Sequence, residues 1–137
     1  MALLLDTGPI YAAANSKDRD HLRCVELLRS SQPPFVVPAM VVAEVSYLVG
    51  THLGAAAEAD FFRMLQSDRF RVEQLVAEDV VRIAELVRRY SDLPLGGTDA
   101  SVVTAAERLG FDAVATLDHR HFTVVRPSHV EALTLLP

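Results

Sequence analysis

The chain has 137 residues, half of them hydrophobic, and a formal net charge of -5. Its length and composition indicate one domain spanning residues 1–137 with a real hydrophobic core. Its single cysteine excludes an intrachain disulfide and a multi-cysteine metal site. The net negative charge argues against nucleic-acid binding driven by overall charge. A pocket in which acids hold divalent cations can nevertheless be locally positive toward phosphate.

The apolar segments of the chain do not suggest export or membrane insertion. The longest apolar stretch, residues 35–50, is interrupted by Pro38 and Glu44 and is too short to span a bilayer. The first leucines are not preceded by the basic segment of a signal peptide. We therefore expect a cytoplasmic protein, and we expect Cys24 to be a buried packing position on a helix.

Hydrophobic periodicity and turn residues predict strands alternating with helices along the chain. In chain order, we predict a strand at 2–5, a helix opened by Gly8 and Pro9, a helix at 18–31, a strand at 35–37, helices at 39–49 and 54–67, a strand near 72–75, helices at 77–90 and 98–109, a strand at 113–117, a turn at 118–122 and a last strand within 123–136. Short apolar strands alternating with helices indicate an α/β fold with a mostly parallel sheet. Ligands bind such sheets beyond the carboxyl ends of the strands.

Two of the predicted strands end on an aspartate. Asp6 follows the apolar run at 2–5, and Asp118 follows the run at 113–117. Taken alone, Asp6 could be a helix N-cap, because Pro9 stands just inside the following helix. Parallel strands bring their carboxyl ends to one edge, so a shared acidic site is the alternative.

Two further acids lie on predicted helices. The residues one turn away from Glu44 on either side are apolar, so its carboxylate should project from an apolar face. A buried carboxylate there needs either an arginine partner or a bound cation. Asp99 stands in a first helical turn, where Thr98 could be the cap and an acid could simply favour the helix dipole.

Asp6, Glu44, Asp99 and Asp118 together carry more information than any one of them. A parallel sheet could bring all four to one edge, where mutually repelling carboxylates need a counter-charge. Ligation by oxygen alone selects hard cations such as Mg²⁺ or Mn²⁺. Such ions activate water and stabilise charge in phosphoryl displacement, so the sequence predicts metal-dependent phosphoryl chemistry without a protein nucleophile.

The residues around these acids resemble the PIN-domain family, in particular the small toxins of VapBC toxin–antitoxin pairs. The resemblance covers almost the whole chain and is carried by LLLDTGPIYA, VVAEVSYLV, DLPLGGTDASVVTAAERLG and ATLDHRHF. It implies a three-layer α/β/α PIN-like fold with a short, mostly parallel central sheet flanked by helices. It also implies that the four acids are the catalytic and metal-binding quartet of a Mg²⁺- or Mn²⁺-dependent endoribonuclease that cleaves RNA, of the tRNA or rRNA class.

The resemblance implies partners as well. A cognate VapB-type antitoxin would inhibit the toxin by laying its C-terminal segment over the active-site groove. The toxin would form a homodimer, through helices before residue 70, and a higher assembly with the antitoxin. A non-catalytic PIN-like partner-binding module is the alternative. A receiver domain is disfavoured because it needs a lysine late in the chain, whereas the single lysine, Lys17, lies early. A haloacid-dehalogenase-like phosphatase is disfavoured because it needs a second aspartate at the position of Gly8.

Four other residues are secondary candidates. Some relatives carry a further acid where this chain has Thr116, so Thr116 and Thr7 are predicted to contact a metal-bound water or a phosphate. Arg120 and His119 follow Asp118 and are predicted to contact RNA phosphate. The His-Arg-His spacing is weak evidence for a zinc site, and surface or structural use of these histidines is favoured.

Overall fold

A computed structural model describes residues 2–137 of the protein. The strands are β1 (Leu3–Leu5), β2 (Phe35–Pro38), β3 (Phe70–Glu73), β4 (Ala113–Ala115) and β5 (Thr134–Leu136). The helices are α1 (Thr7–Ala14), α2 (His21–Ser30), α3 (Ala39–Leu53), α4 (Ala55–Gln66), α5 (Ala77–Arg89), α6 (Gly97–Leu109) and α7 (His119–Val124).

The strands form one sheet in the order β3-β2-β1-β4-β5, and all of its pairings are parallel. Every residue of β1 and β2 is buried, because helices cover both faces of the sheet. The predicted three-layer α/β/α fold with a short parallel sheet is therefore confirmed. The central position of β1 explains its unbroken run of leucines, and it directs Asp6 to the middle of the carboxyl edge.

Several predicted boundaries were wrong by a few residues. Helix α2 begins at His21 because the Asp18 side chain accepts a hydrogen bond from the Asp20 backbone N–H at 2.8 Å, which forms a turn instead of helix. Helix α3 continues past Val49 to Leu53 and ends at Gly54, whose φ of 95° suits glycine. Cys24 is fully buried, as predicted.

The predicted turn at 118–122 is wrong, since those residues begin a helix. Asp118 is the N-cap of α7, and its Oδ1 accepts a hydrogen bond from the His121 backbone N–H at 3.0 Å. Phe122 is buried and anchors this short helix in the core. The difference matters because it turns His121 back toward Asp118. Among residues 2–137, no helix has the length and apolar character needed to cross a membrane.

An ion pair between Arg82 and Glu107 joins α5 to α6. Both guanidinium–carboxylate distances are 2.9 Å, and the Ser128 backbone N–H donates to the same carboxylate at 2.6 Å. Burial alone would raise the pKa of Glu107, but the hydrogen bonds from Arg82 and Ser128 outweigh it and hold that pKa below its usual value. A lowered pKa means that the pair stabilises the fold above the normal pKa of glutamate and loses this effect as the pH falls.

We expect Glu107→Gln to lower the free energy of unfolding by about 2 kcal/mol at pH 7, since hydrogen bonds to a charged group are lost. The loss should shrink as the pH falls below the normal pKa of glutamate and through the lowered pKa of Glu107, because the wild-type carboxylate then takes up a proton. Urea unfolding across this pH range measures it. Glu85→Gln is the control, because Glu85 is exposed and makes one bond to Arg82. A cost for Glu107→Gln that does not change with pH would contradict the account.

Candidate active site

The structure brings the four predicted acids to one groove at the carboxyl edge of the sheet. Asp6 follows β1, Asp118 follows β4, Asp99 stands in the first turn of α6 and Glu44 lies on α3. The groove has a volume of about 450 Å³ and is lined by Asp6, Thr7, Gly8, Glu44, Asp99, Leu117 and Asp118. The parallel arrangement predicted from the strand ends is what places these residues together.

Asp6 is the most buried of these acids, with 5% of its surface exposed. It occupies the N-cap position of α1, but its side chain makes no capping hydrogen bond, so the helix-cap alternative does not explain it. Burial raises the pKa of Asp6 to about 6, and the charges of Asp99 and Glu44 add to the increase. The hydrogen bonds from Thr116 and the Thr7 backbone lower the pKa but do not offset burial. Such a carboxylate gains most from a nearby cation.

Thr116 connects two of the acids. Its fully buried hydroxyl donates to Asp6 Oδ2 at 2.8 Å and accepts from the Asp118 backbone N–H at 3.0 Å. Its hydrogen is therefore used on Asp6. Thr116 therefore links the acids that follow β1 and β4, and its predicted contact with metal-bound water or phosphate stays a prediction.

His121 lies between Asp99 and Asp118. Its Nδ1 is 2.7 Å from Asp118 Oδ2 and 3.1 Å from Asp99 Oδ2, and ligand atoms of the three residues lie within 4.8 Å of one another. The pKa of Asp99 is raised above its ordinary value, chiefly by burial. The hydrogen bond from His121 opposes this increase, and the charge of Asp118 adds to it. These three side chains form a compact group that could hold a cation.

Sequence reasoning missed His121. The histidine pair at 119 and 121 was predicted to have surface or structural use in a turn, whereas His121 is half-buried among the acids. The pattern that could have identified it is the spacing of Asp118 and His121, since a residue three positions after an N-cap lies against the cap.

Glu44 lines the groove, but the predicted burial of its side chain is wrong. It is exposed, and Tyr47, one turn further along α3, is 69% exposed. This part of α3 forms the open rim of the groove, so Glu44 needs no compensation for burial. Within residues 2–137, no ion pair joins Glu44 to an arginine, which leaves its carboxylate free for a ligand.

Thr7 contributes a hydroxyl group without a partner. Its Oγ1 is buried in the wall of the groove and has no hydrogen bond within the described part of the chain. The next residue, Gly8, packs tightly, since a Cβ there would lie 3.2 Å from Leu117 Cβ. A buried hydroxyl with no partner beside several carboxylates fits the donor set of a hard divalent cation and its water molecules.

His119 and Arg120 are exposed in the first turn of α7, directly after Asp118. Neither forms an ion pair among residues 2–137, and their predicted contact with RNA phosphate stays a prediction.

Comparison with known proteins agrees with this fold. Residues 3–126 match the family model of the PIN domain. The chain belongs to the PIN-domain family. Its sequence is 33% identical to that of Ribonuclease VapC26 of Mycobacterium tuberculosis. The alignment covers 98% of this chain and 100% of the relative's length.

Two solved structures share the fold at lower sequence identity. One is the Mycobacterium tuberculosis toxin VapC20, described as cleaving the sarcin-ricin loop, with a TM-score of 0.81, 20% identity, and coverage of 96% of this chain and 98% of that chain. The other is VapBC2 of Rickettsia felis bound to a promoter DNA fragment, with a TM-score of 0.70, 18% identity, and coverage of 98% and 97%.

Proposed function

We propose that the protein is the toxin of a type II toxin–antitoxin pair and acts as a metal-dependent endoribonuclease. The observation that carries this proposal is the convergence of four carboxylates on one groove, three of them partly or wholly buried, beside a buried hydroxyl without a partner. The identity to a relative named as a VapC ribonuclease supports the choice of RNA as substrate. The domain would span residues 1–137.

Asp6, Asp99 and Asp118 would hold the ion, with Glu44 reaching it from the rim. When bound, a divalent cation lowers the pKa of a coordinated water and stabilises charge on the attacking and leaving oxygens of the phosphodiester. Thr116 holds Asp6 in place, and His121 keeps Asp99 and Asp118 together. Thr7 would hydrogen-bond a water molecule or a phosphate oxygen, and Arg120 and His119 would contact the RNA phosphate.

The oxygen-rich donor set favours Mg²⁺ or Mn²⁺. The proposed partners are a VapB-type antitoxin that covers the groove, a second copy of the chain that joins through helices before residue 70, and a higher assembly of both. The VapBC2 complex supports the antitoxin as partner. A ribosomal or transfer RNA is the proposed substrate class, and the sarcin-ricin loop named for VapC20 is one RNA to test. The cytoplasm, where these partners occur, is the proposed compartment.

The test is to sequence the 5′ ends of cellular RNA after brief induction of the wild type or of Asp99→Asn. New 5′ ends at a few positions of a stable RNA should follow induction of the wild type and be absent with the variant. Identical 5′-end profiles would contradict the proposal and would favour the non-catalytic partner-binding module.

Thr116→Val should lower RNA cleavage by about 10- to 100-fold, the usual effect of removing a group that orients a metal ligand. The half-saturating concentration of Mn²⁺ should rise as well, because Asp6 loses the hydroxyl that fixes it. Thr116→Ser keeps the hydroxyl and should restore most of the activity. Titrating Mn²⁺ in a cleavage assay measures both effects.

Thr104→Val is the matched control for this change. Thr104 is also buried, but its hydroxyl donates to the Ala100 carbonyl within α6 and contacts none of the acids. It should lose stability without a change in Mn²⁺ dependence. If the valine variants of Thr104 and Thr116 behaved alike in the cleavage assay, Thr116 would have no positioning role.

A further inference from the structure

Most arginines of this acidic chain are paired with carboxylates. The arginines in ion pairs are Arg19, Arg23, Arg29, Arg63, Arg71, Arg82 and Arg108. Within the part of the chain that the structure describes, five exposed arginines have no carboxylate partner: Arg69, Arg88, Arg89, Arg120 and Arg126. Arg69 is engaged elsewhere, since it donates to the Leu28 carbonyl oxygen at 3.4 Å and lies over the Phe35 ring. The other four fall in two short segments, 88–92 and 119–126, which contain one carboxylate, Asp92.

Tyr90 joins the two segments in space. Its hydroxyl accepts a hydrogen bond from the Arg126 backbone N–H at 2.9 Å. The guanidinium of Arg89 lies over its ring, 5.7 Å from the centroid. The end of α5 and the chain that leaves α7 therefore meet at Tyr90, so Arg89 and Arg126 are neighbours of the same side chain.

Helix α7 connects the acidic groove to Tyr90, because Asp118 lines the groove and the Arg126 backbone bonds the Tyr90 hydroxyl. Helix α7 begins directly after its N-cap, Asp118, and is about 9 Å long at 1.5 Å per residue. Arg120 stands in its first turn and Arg126 two residues beyond its end. Arg120 therefore stands at the groove end of α7 and Arg126 at its Tyr90 end. We call Arg89, Arg120 and Arg126 the arginine track.

We propose that the arginine track binds the phosphate backbone of a single-stranded RNA segment next to the bond that is cleaved. This inference rests on the proposed ribonuclease function. An acidic groove repels RNA until cations fill it, so the energy that holds the flanking strand must come from elsewhere. Arginines without a carboxylate partner can contact phosphate in bidentate fashion without first breaking an ion pair.

The test uses the full chain and a fluorescein-labelled single-stranded RNA of mixed sequence, with Ca²⁺ in place of Mg²⁺ and Mn²⁺. Binding is measured by fluorescence anisotropy over a series of KCl concentrations. The track variant is Arg89→Gln with Arg126→Gln. The matched control is Arg29→Gln with Arg63→Gln, which removes the same charge from arginines that are 79% and 78% exposed and paired with acids on their own helices.

Loss of two phosphate contacts should make the slope of log affinity against log salt shallower by about 1.4, since each contact on single-stranded nucleic acid contributes about 0.7. This corresponds to roughly tenfold weaker binding near physiological salt. The control pair should match the wild type. Hydrolysis of bis(p-nitrophenyl) phosphate, a diester too small to reach the track, should be unchanged in every variant.

Three results would overturn the inference, and they are distinguishable. If the wild type cleaves RNA and the track variant keeps the same salt slope, the track is wrong and the ribonuclease function stands. If the wild type neither binds nor cleaves RNA, both fall. Polyglutamate tests whether the track instead binds an acidic protein segment. If polyglutamate binds the wild type but not the track variant, and the salt slope for RNA is the same in both, the RNA assignment is also overturned.

Discussion

Asp6→Asn and Asp99→Asn are each expected to lower RNA cleavage at least about 100-fold, because each substitution removes a ligand from the proposed metal site. The same variants should fold, and the metal-free protein should become more stable. Asp6 is buried beside Asp99 and Glu44, and its raised pKa means that its ionised form opposes folding above pH 6. A neutral amide removes that repulsion while it can still accept the Thr116 hydrogen bond.

The expected gain for Asp6→Asn is about 1 to 3 kcal/mol at pH 8 and should vanish near pH 4, where the wild-type carboxyl is protonated. Asp112→Asn is the control, since Asp112 is exposed at the opposite end of β4. It should change neither cleavage nor stability. Full cleavage by Asp6→Asn or Asp99→Asn would refute the assignment of the site.

Divalent cations are expected to raise the melting temperature of the metal-free wild type. A ligand that binds the folded state alone stabilises it by about 2.7 kcal/mol at 100 times its Kd. For a chain of this length that corresponds to a shift of roughly 10 °C. Mn²⁺ and Mg²⁺ should both act, and KCl of equal ionic strength should not, because screening alone does not occupy the site.

The variants make this second prediction specific to the groove. Asp99→Asn should lose most of the shift, because Asp99 belongs to the compact group with Asp118 and His121. Asp112→Asn should keep the full shift. Equal shifts in wild type and Asp99→Asn would place the bound ion elsewhere on the protein.

The positions of Asp6 and Asp118 could be predicted from the sequence, because short apolar strands in a parallel sheet end at one edge. The α/β class and its parallel sheet followed from the alternation of strands and helices, whereas the three-layer PIN-like arrangement was implied by the family resemblance. The exposure of Glu44 could not be predicted, since helical spacing shows which residues share a face but not which element covers that face. Tyr47 is an example, because it belongs to the apolar face predicted from helical spacing and is nevertheless largely exposed.

Other features depend on contacts between distant segments. Thr116 and Asp6 are 110 residues apart in sequence, and nothing local indicates that the hydroxyl bonds the carboxylate. His121 was missed because a capped helix replaced the predicted turn. The arginine track depends on Tyr90 meeting Arg126 across 36 residues. Each of these features follows from packing of the folded chain, which periodicity alone does not specify.

The central claim is that the acids at the carboxyl edge of the sheet hold a metal ion that is needed to cleave RNA. The most direct measurement is cleavage of a structured RNA by the purified chain, first after removal of metal with EDTA and then after addition of Mg²⁺ or Mn²⁺. The account predicts no cleavage without metal, recovery when either ion is added to the wild type, and no recovery for Asp99→Asn. Cleavage that persists in EDTA, or that metal restores equally in Asp99→Asn, would contradict it.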